Sequence, residues 1–295
     1  MRLVRVARRS KLSPWRLAFL LLAGPVVLAG CSDSISNSAA TTEEGFFFSG
    51  TTRLSYAIDI PVAGTPPYPL VVFGHDSGAE TKNERGDWMN RLIANDVAVF
   101  RFDKRGVGDS DGVYRRGYAD FELLSGDLVA ALDFVSRDAR LDSTRIGLMG
   151  SSQAGWIIPM VATRSDHVAF TIILSGPTVT VGQHNSWVEI AQDEDRTISE
   201  LSAMLAEFQL PANDFDPHPF LEELTTPGLW MFGDQDRIIP ARESAQIVRD
   251  VAEMFDAQLT AIVYSNGGHG LRDVANGARL DYWPDLLPWL NAVIR

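Results

Sequence analysis

From residue 70 onward, short apolar runs alternate with helical patterns, and this alternation constrains the fold more than any other feature of the chain. Mostly apolar runs at 70–73, 97–102, 145–149, 168–174, 229–232 and 259–264 have the length of strands buried on both faces. The segments between them suit helices, and residues 118–137 show the clearest helical periodicity. Strands that alternate with helices form a mostly parallel central sheet with helices on both faces. The sequence therefore predicts an α/β fold.

Two segments depart from this alternation. The triplet Phe46–Phe48 and the alternating residues 54–60 predict an opening antiparallel strand pair. Residues 179–226 are polar and mostly helical in pattern, and they contain no run typical of a sheet strand. We expect this segment to be a small helical cap inserted into a core of residues 45–178 and 227–295. The last helix is expected to end near Val293.

The predicted cap carries large apolar side chains whose role the sequence leaves open. They fit two arrangements, the lining of an apolar acyl pocket and the packing of the cap itself. The residues concerned are Trp187, Ile190, Phe208, Phe215 and Phe220.

The first 30 residues have the composition of an export signal. They hold six basic residues and no acidic one, and the apolar run 17–28 is short for a membrane span. The run ends in Leu-Ala-Gly before Cys31, the only cysteine, which resembles the lipobox of bacterial lipoproteins. This resemblance implies lipidation of Cys31 (by palmitate or a similar acyl group), a membrane anchor, and an exported protein facing the periplasm or cell surface. An ordinary signal peptide with an incidental thiol is the alternative, and residues 31–44 are expected to form a flexible tether.

Charge excludes one class of partner. The net charge is −12, and removing the six positive charges of the signal lowers it to −18. So acidic a protein disfavours nucleic acid as a partner, and solubility is a sufficient explanation for the charge. With one cysteine, no disulfide forms within the chain.

The hexapeptide 150–155 (Gly-Ser-Ser-Gln-Ala-Gly) follows a predicted strand and precedes a predicted helix. A serine between small residues at such a junction is typical of a nucleophile elbow, where the sharp turn leaves no room for large neighbours. Ser152 has Gly150 two positions before it and Ala154 two positions after it, whereas Ser151 lacks such neighbours. We therefore predict that Ser152 is a nucleophile.

A catalytic serine needs a base, usually histidine, which a carboxylate orients. After the run 229–232 comes the acidic loop 233–240, which contains Asp234 and Asp236. After the last run comes Asn-Gly-Gly-His-Gly, which places His269 in a glycine-rich loop. Asp236 stands far enough along its loop to reach the histidine, whereas Asp234 directly follows Gly233 and suits a bracing role. We favour Asp236 and keep Asp234 as the alternative.

Four stretches together resemble the α/β-hydrolase superfamily over roughly residues 45–293, and are most similar to dienelactone-hydrolase-like and serine-aminopeptidase-like bacterial hydrolases. They are Gly-His-Asp-Ser-Gly at 74–78, Asp-Lys-Arg-Gly-Val-Gly-Asp-Ser at 103–110, the elbow, and the acidic loop followed by His269. The resemblance implies an α/β-hydrolase fold and the chain order Ser152, Asp236, His269 for a catalytic triad. It also implies an oxyanion hole made by the backbone N–H groups of Gln153 and Ser77.

The same stretches contain residues to which we assign structural roles. Asp76 stands where the family usually has glycine, and its carboxylate must be paired or point away from an oxyanion. His75 precedes the nucleophile and is expected to brace its loop. Asp103 and Arg105 are expected to form a structural ion pair.

These features predict a serine hydrolase of carboxylic esters that works through an acyl-enzyme intermediate on small acyl-ester substrates. An aminopeptidase-like amidase, a thioesterase and an acyltransferase are alternatives on the same triad. A non-catalytic surface binding protein with a hydrolase fold is an alternative of another class. No cofactor is implied, and the spacing of His167, His184 and His218 suggests no metal site.

Overall fold

A computed structural model describes residues 39–84, 86–115, 120–209 and 214–295. Its strands are β1 (Ala40–Ser49), β2 (Thr52–Pro61), β3 (Tyr68–Gly74), β4 (Ala98–Phe102), β5 (Leu141–Ser151), β6 (Val168–Leu174), β7 (Gly228–Gly233), β8 (Leu259–Tyr264), β9 (Gly267–Gly268) and β10 (Arg272–Asp273). In these ranges β1 to β8 form one sheet in the order β1-β2-β4-β3-β5-β6-β7-β8, while β9 and β10 form a short hairpin. Only the pairs β1–β2 and β2–β4 of the large sheet are antiparallel, so the predicted mostly parallel sheet is confirmed.

Helices connect the parallel strands and cover both faces of the sheet. They are α1 (Asp87–Ile93), α2 (Phe121–Val135), α3 (Ala154–Ala162), α4 (Val181–Ile190), α5 (Ile198–Leu205), α6 (His218–Glu222), α7 (Ala241–Phe255) and α8 (Trp283–Val293). In α7, Ala241, Ala245, Val248 and Val251 are buried at helical spacing, which fixes the side of the helix that meets the sheet.

The alternation of side chains along each strand divides the core into two layers. In β3, Leu70 and Val72 pack into the layer that contains α2, α3 and α7. Val71, between them, points to the opposite layer, which contains α1 and α8. All three are fully buried. Because both faces are covered, the strands read as continuous apolar runs.

The segment between β6 and β7 folds as helices α4, α5 and α6, with no strand among its described residues. Capping boxes fix two of the helix starts. Thr180 accepts from the Gln183 N–H and Thr197 from the Glu200 N–H, and both Gln183 and Glu200 return a side-chain bond to the capping residue. These helices enclose a small apolar cluster of their own.

The structure corrects the expected start of the domain. Residues 40–44 were predicted to belong to the tether, but they lie in β1 and pair with β2 over the register Ala40↔Pro61 to Glu44↔Ala57. This half of the edge strand is mostly exposed and polar, so it lacks the apolar alternation that marks a strand. Polar contacts support it instead: Thr42 Oγ1 donates to Asp59 Oδ1 at 2.6 Å.

Other boundaries differ by a few residues. The helix expected over 118–137 spans Phe121–Val135, whereas the last helix ends at Val293 as expected. The hairpin of β9 and β10 was not predicted, because two-residue strands leave no periodic pattern.

The predicted export signal and Cys31 lie outside the described residues. In the ranges that are described, no helix has both the length and the apolar character that crossing a membrane requires.

Candidate active site

Ser152 occupies a strained turn between β5 and α3. Its φ is +52°, in the left-handed region that non-glycine residues rarely adopt. The Ser152 N–H donates to Leu174 O at the end of β6, at 3.1 Å, and Ser152 O accepts from Gly155 N–H at 2.8 Å. A Cβ on Gly150 would lie 2.5 Å from the Ala154 Cβ and 2.7 Å from Gly74 O. The turn therefore requires small residues on both sides of the serine.

Ser151 has a different environment from Ser152. It is the last residue of β5 and pairs in register with Leu174 of β6, so its backbone is that of an ordinary strand. Of the two serines, Ser152 has the strained backbone of a strand-to-helix turn.

The structure brings Asp236 and His269 together. Asp236 Oδ2 lies 2.9 Å from His269 Nδ1, and the carboxylate is completely shielded from solvent. The N–H groups of Ile238 and Ile239 donate to its other oxygen, Oδ1, at 2.8 and 3.0 Å. These bonds fix the carboxylate on its loop. Because Nδ1 faces Asp236, the ring leaves Nε2 available for proton transfer.

Two close backbone approaches set the position of the His269 loop. A Cβ on Gly233, at the end of β7, would lie 2.2 Å from Gly267 O of β9. The hairpin of β9 and β10 then turns through Gly270 and Leu271, both with positive φ. Gly233 and Gly267 therefore allow the acidic loop and the histidine loop to touch.

Ser175 links the histidine loop to the elbow, and sequence reasoning missed it. Its Oγ accepts from the Gly270 N–H at 3.0 Å, and its own N–H donates to Met231 O in β7 at 2.8 Å. The preceding residue, Leu174, accepts from the Ser152 N–H. Gly270, the residue after His269, and Ser152 are thus hydrogen-bonded to two adjacent residues, Ser175 and Leu174. The available signal was a serine directly after a buried strand, at the sheet edge where ligands bind.

The loop after β3 carries the predicted oxyanion donor Ser77. Asp76, whose charge was a concern, accepts the Gly78 N–H on Oδ1 at 2.5 Å and so braces its own loop. The Asp76 N–H donates to Glu80 Oε2 at 2.6 Å, and Tyr114 Oη donates to Ser77 O at 2.9 Å. Gln153, the other predicted donor, is buried at the start of α3.

Glu80 has an unusual protonation behaviour for a glutamate. Its pKa is raised to about 8, mainly by burial and then by the neighbouring Asp76 carboxylate. Hydrogen bonding to the Asp76 N–H and the positive charge of Lys104 act in the opposite direction. Glu80 is therefore mostly neutral at pH 7, which limits the negative charge near Ser77.

His75 braces this region, as expected. Its Nε2 lies 2.7 Å from Phe102 O, and burial lowers its pKa to about 4. The ring is therefore neutral at pH 7, and its Nε2–H donates to the carbonyl.

The expected ion pair between Asp103 and Arg105 is wrong. Arg105 instead binds Asp127 of α2 through two hydrogen bonds, and its Nη1 donates to Thr52 Oγ1 at 2.5 Å. Asp103 accepts from the backbone N–H groups of Lys82 and Asp109, at 2.6 and 2.8 Å, and lies 3.5 Å from Lys82 Nζ. The side chains of Asp103 and Arg105 bind different elements, so they do not pair with each other.

His184, set aside in the sequence, lies close to the candidate site. Its ring packs edge-on against Trp156 of α3, with centroids 5.2 Å apart. Burial, with a smaller contribution from the nearby His269, lowers its pKa to about 4, so the ring is neutral at pH 7. Within the described residues, no group of three or more His, Cys, Asp or Glu side chains is arranged to hold a metal ion.

The apolar residues of the α4–α6 segment divide into two sets. Trp187 is fully buried in the cluster of α4 and α5, where Ile190 and Phe208 pack against it. Phe215 and Phe220 instead pack on the main core, and Phe215 lies 4.6 Å from Phe121 between ring centroids. Residues of α4, α5 and α7 line a cavity of about 560 Å³, and none of these five aromatic or aliphatic residues is among them.

Comparison with known proteins gives a consistent result. The family described as Hydrolase_4, serine aminopeptidase S33, matches residues 65–210. A solved structure described as a dienelactone hydrolase from Klebsiella pneumoniae superposes with a TM-score of 0.63 at 15% identity, covering 86% of this chain and 99% of the other. Acetyl xylan esterase 1 from Thermoanaerobacterium gives 0.61 at 15% identity, with 90% and 86% covered. Acylaminoacyl peptidase from Pyrococcus horikoshii gives 0.58 at 17% identity, with 81% and 39% covered.

The sheet order and these matches agree on the fold. The chain has the fold of the α/β-hydrolases, and residues 65–210 match the Hydrolase_4 family. The family match and the esterase and peptidase neighbours support a hydrolase of the serine type.

Proposed function

We propose that this protein is a serine hydrolase of carboxylic esters. The observation that carries the proposal is the hydrogen bond between His269 and the shielded carboxylate of Asp236. The loop that holds His269 is also connected, through Ser175, to Ser152 and its turn at positive φ. This is the arrangement that serine hydrolysis needs, since the nucleophile needs a base and the base needs an orienting carboxylate.

In the proposed mechanism, Ser152 Oγ attacks the ester carbonyl while His269 Nε2 accepts its proton. Asp236 holds the imidazole in the required tautomer and stabilises the imidazolium. The N–H groups of Gln153 and Ser77 stabilise the negative oxygen of the tetrahedral intermediate. His269 then gives its proton to the leaving alcohol, and a water molecule activated by His269 releases the acyl group from Ser152.

Labelling with a fluorophosphonate probe tests this proposal. The full chain should be labelled, and Ser152→Ala should abolish labelling, whereas Ser151→Ala should retain it. Turnover of p-nitrophenyl esters should fall in Ser152→Ala by roughly six orders of magnitude, as nucleophile deletion does in other serine hydrolases. Absence of labelling in the wild-type chain would favour the non-catalytic binding protein, and labelling of Ser152→Ala would exclude Ser152 as the nucleophile.

An aminopeptidase-like amidase is the second candidate, and the serine aminopeptidase family match favours it. The same triad cleaves esters and amides, so the leaving group has to be tested directly. Matched p-nitrophenyl esters and aminoacyl p-nitroanilides, compared by kcat/KM, separate the two candidates. A thioester substrate and an alcohol acceptor, added in turn, test the thioesterase and acyltransferase alternatives.

We also propose that the protein is exported and lipidated on Cys31. Support comes from the basic and apolar residues before it and from Cys31 being the only cysteine of the chain. Cys31→Ala should release the protein from the membrane fraction, with Ser32→Ala as the control that stays bound. Membrane retention of Cys31→Ala would argue against a lipid on this residue.

A further inference from the structure

The three consecutive amides of the loop after β3 have different partners. The Asp76 N–H donates to Glu80 Oε2 at 2.6 Å, and the Gly78 N–H donates to Asp76 Oδ1 at 2.5 Å. Among the described residues, the Ser77 N–H between them donates no hydrogen bond. The loop therefore uses two amides to hold its shape and leaves the middle one for another partner.

Lys104, from the turn after β4, reaches into this loop. Its side chain is buried, and Nζ donates to Asp76 O at 2.6 Å and to Gly78 O at 3.3 Å. The same Nζ donates to Gln153 Oε1 at 3.3 Å. One ammonium group therefore contacts the loop on both sides of Ser77 and also the residue after the elbow serine.

The bond to Asp76 O has a geometric consequence. Asp76 O and the Ser77 N–H belong to the same peptide group, which is planar and trans, so its C=O and N–H point in opposite directions. Holding the carbonyl at Lys104 Nζ therefore fixes the direction of the N–H on the other side. A hydrogen bond from a cation also polarises the amide, which strengthens its N–H as a donor.

We propose that Lys104 is a positioning residue for the oxyanion hole. It orients and polarises the Ser77 N–H through the Asp76 carbonyl, and it holds Gln153 at a fixed distance from that loop. This inference rests on the proposed serine hydrolase function and extends it to a residue that does not touch the substrate.

The charges around Lys104 are consistent with this role. Asp76 and Glu80 are the carboxyl groups near its ammonium, and Glu80 is mostly neutral at pH 7. The neutral state of Glu80 limits the negative charge next to the site where an oxyanion would form.

The test compares Lys104→Met with wild type in three measurements. We expect kcat for a p-nitrophenyl ester to fall about 10- to 100-fold, somewhat less than removal of an oxyanion donor itself. KM should change by less than about threefold, because the Ser77 N–H acts mainly on the transition state. The affinity for an alkylboronic acid, whose tetrahedral adduct carries an oxygen in the oxyanion hole, should fall by about the same factor as kcat/KM.

Lys82→Met is the matched control. Lys82 is also a buried lysine among carboxylates, with Nζ 2.8 Å from Asp109 and 3.5 Å from Asp103, but it does not donate to residues 76–78. This variant should melt at a lower temperature and keep kcat/KM within about threefold of wild type. Lys104→Gln, which retains one short donor without charge, is measured alongside so that the test does not depend on one variant folding.

The outcomes separate the inference from the function on which it rests. Loss of boronic acid affinity in parallel with kcat/KM in the Lys104 variants, but not in Lys82→Met, supports the inference. If the wild-type chain reacts with a fluorophosphonate but the folded Lys104 variants keep kcat within threefold of wild type, the inference about Lys104 is overturned and the proposed function stands. An equal loss in Lys82→Met also overturns it. If the wild-type chain does not react, the proposed function fails and the inference fails with it.

Discussion

Asp234 and Asp236 stand two positions apart on the loop after β7, yet only Asp236 contacts His269. We expect Asp236→Asn to lower kcat by about 10⁴-fold, because an amide at this position favours the wrong tautomer of the histidine. Asp234→Asn should lower kcat by less than tenfold. Steady-state kinetics of both variants on one p-nitrophenyl ester make the comparison, and a larger loss in Asp234→Asn would assign the orienting role to Asp234.

The raised pKa of Glu80 predicts that the free energy of unfolding depends on pH. The folded chain keeps the Glu80 proton up to a pKa of about 8, whereas the unfolded chain releases it near the ordinary value of 4.5. A group with a raised folded pKa contributes stability that is present below pH 4.5 and is lost as the pH rises towards 8. Glu80→Gln does not titrate, so its advantage in free energy of unfolding over wild type should grow between pH 5 and pH 8.

Urea unfolding of both proteins at pH 5, 6.5 and 8 measures this advantage. Asp76, Glu84 and Lys104, the charged groups around Glu80, are present in both proteins, so their own titration largely cancels in the difference. A difference that stays constant with pH would contradict the raised pKa of Glu80.

Residues of the candidate site differ in how strongly the sequence alone marks them. Ser152, Asp236 and His269 carry local signals, namely small neighbours, an acidic loop and a glycine-rich loop after a strand. Lys104 and Ser175 do not, because their roles come from contacts with elements 26 to 95 positions away in the chain. Such pairings depend on the folded sheet edge, and no spacing rule in one sequence encodes them.

Among the elements, the start of α3 has no room for an added side-chain atom, so a larger residue there should destabilise the protein. Gly155 lies against the turn after β6, and a Cβ there would lie 2.6 Å from the Gly176 carbonyl carbon. We expect Gly155→Ala to lower the free energy of unfolding by about 1–3 kcal/mol, because backbone has to move. It should also lower kcat, since this helix start follows Ser152 directly.

Gly126 of α2 is the matched control for this substitution. No atom lies within 4 Å of a Cβ placed on it. Gly126→Ala should therefore raise the free energy of unfolding by about 1 kcal/mol through helix propensity alone. Thermal melts and kcat of the two variants give the comparison. A stable, fully active Gly155→Ala would show that the turn after β6 yields without cost.

Strands with a strong apolar run were predicted well, and short or polar elements were not. The bounds of the central strand β6 match the predicted run 168–174 to the residue, because a continuous apolar run specifies them. The polar half of β1 and the hairpin of β9 and β10 were missed. Their pairing is held by hydrogen bonds to neighbouring backbone, which a hydrophobic pattern does not record.

For the whole molecule, the alternation of strands and helices was sufficient to predict the fold class. It was not sufficient to predict the strand order, which follows only from the pairings in the structure. The net charge likewise describes the whole surface and gives no information on the arrangement around Ser152.

The pairing of β1 has a consequence for how the protein meets its substrates. Ala40 lies opposite Pro61, the last residue of β2. Asp59, also in β2, lies opposite Val99 near the start of β4. The first strand therefore begins at the edge of the sheet where the parallel strands start. Ser152, Asp236 and His269 follow strand ends, at the opposite edge. Eight residues separate Cys31 from Ala40, and the nine steps between their Cα atoms span at most about 30 Å.

A lipid on Cys31, as proposed, would therefore hold the domain by the side remote from Ser152, Asp236 and His269. If these residues are catalytic, as also proposed, such an attachment presents them to dissolved molecules and withholds them from esters embedded in the same bilayer. The protein anchored on vesicles should then hydrolyse a water-soluble ester as fast as the protein released by cutting the chain between Cys31 and Ala40. A lipid ester in those vesicles should be spared by the anchored form.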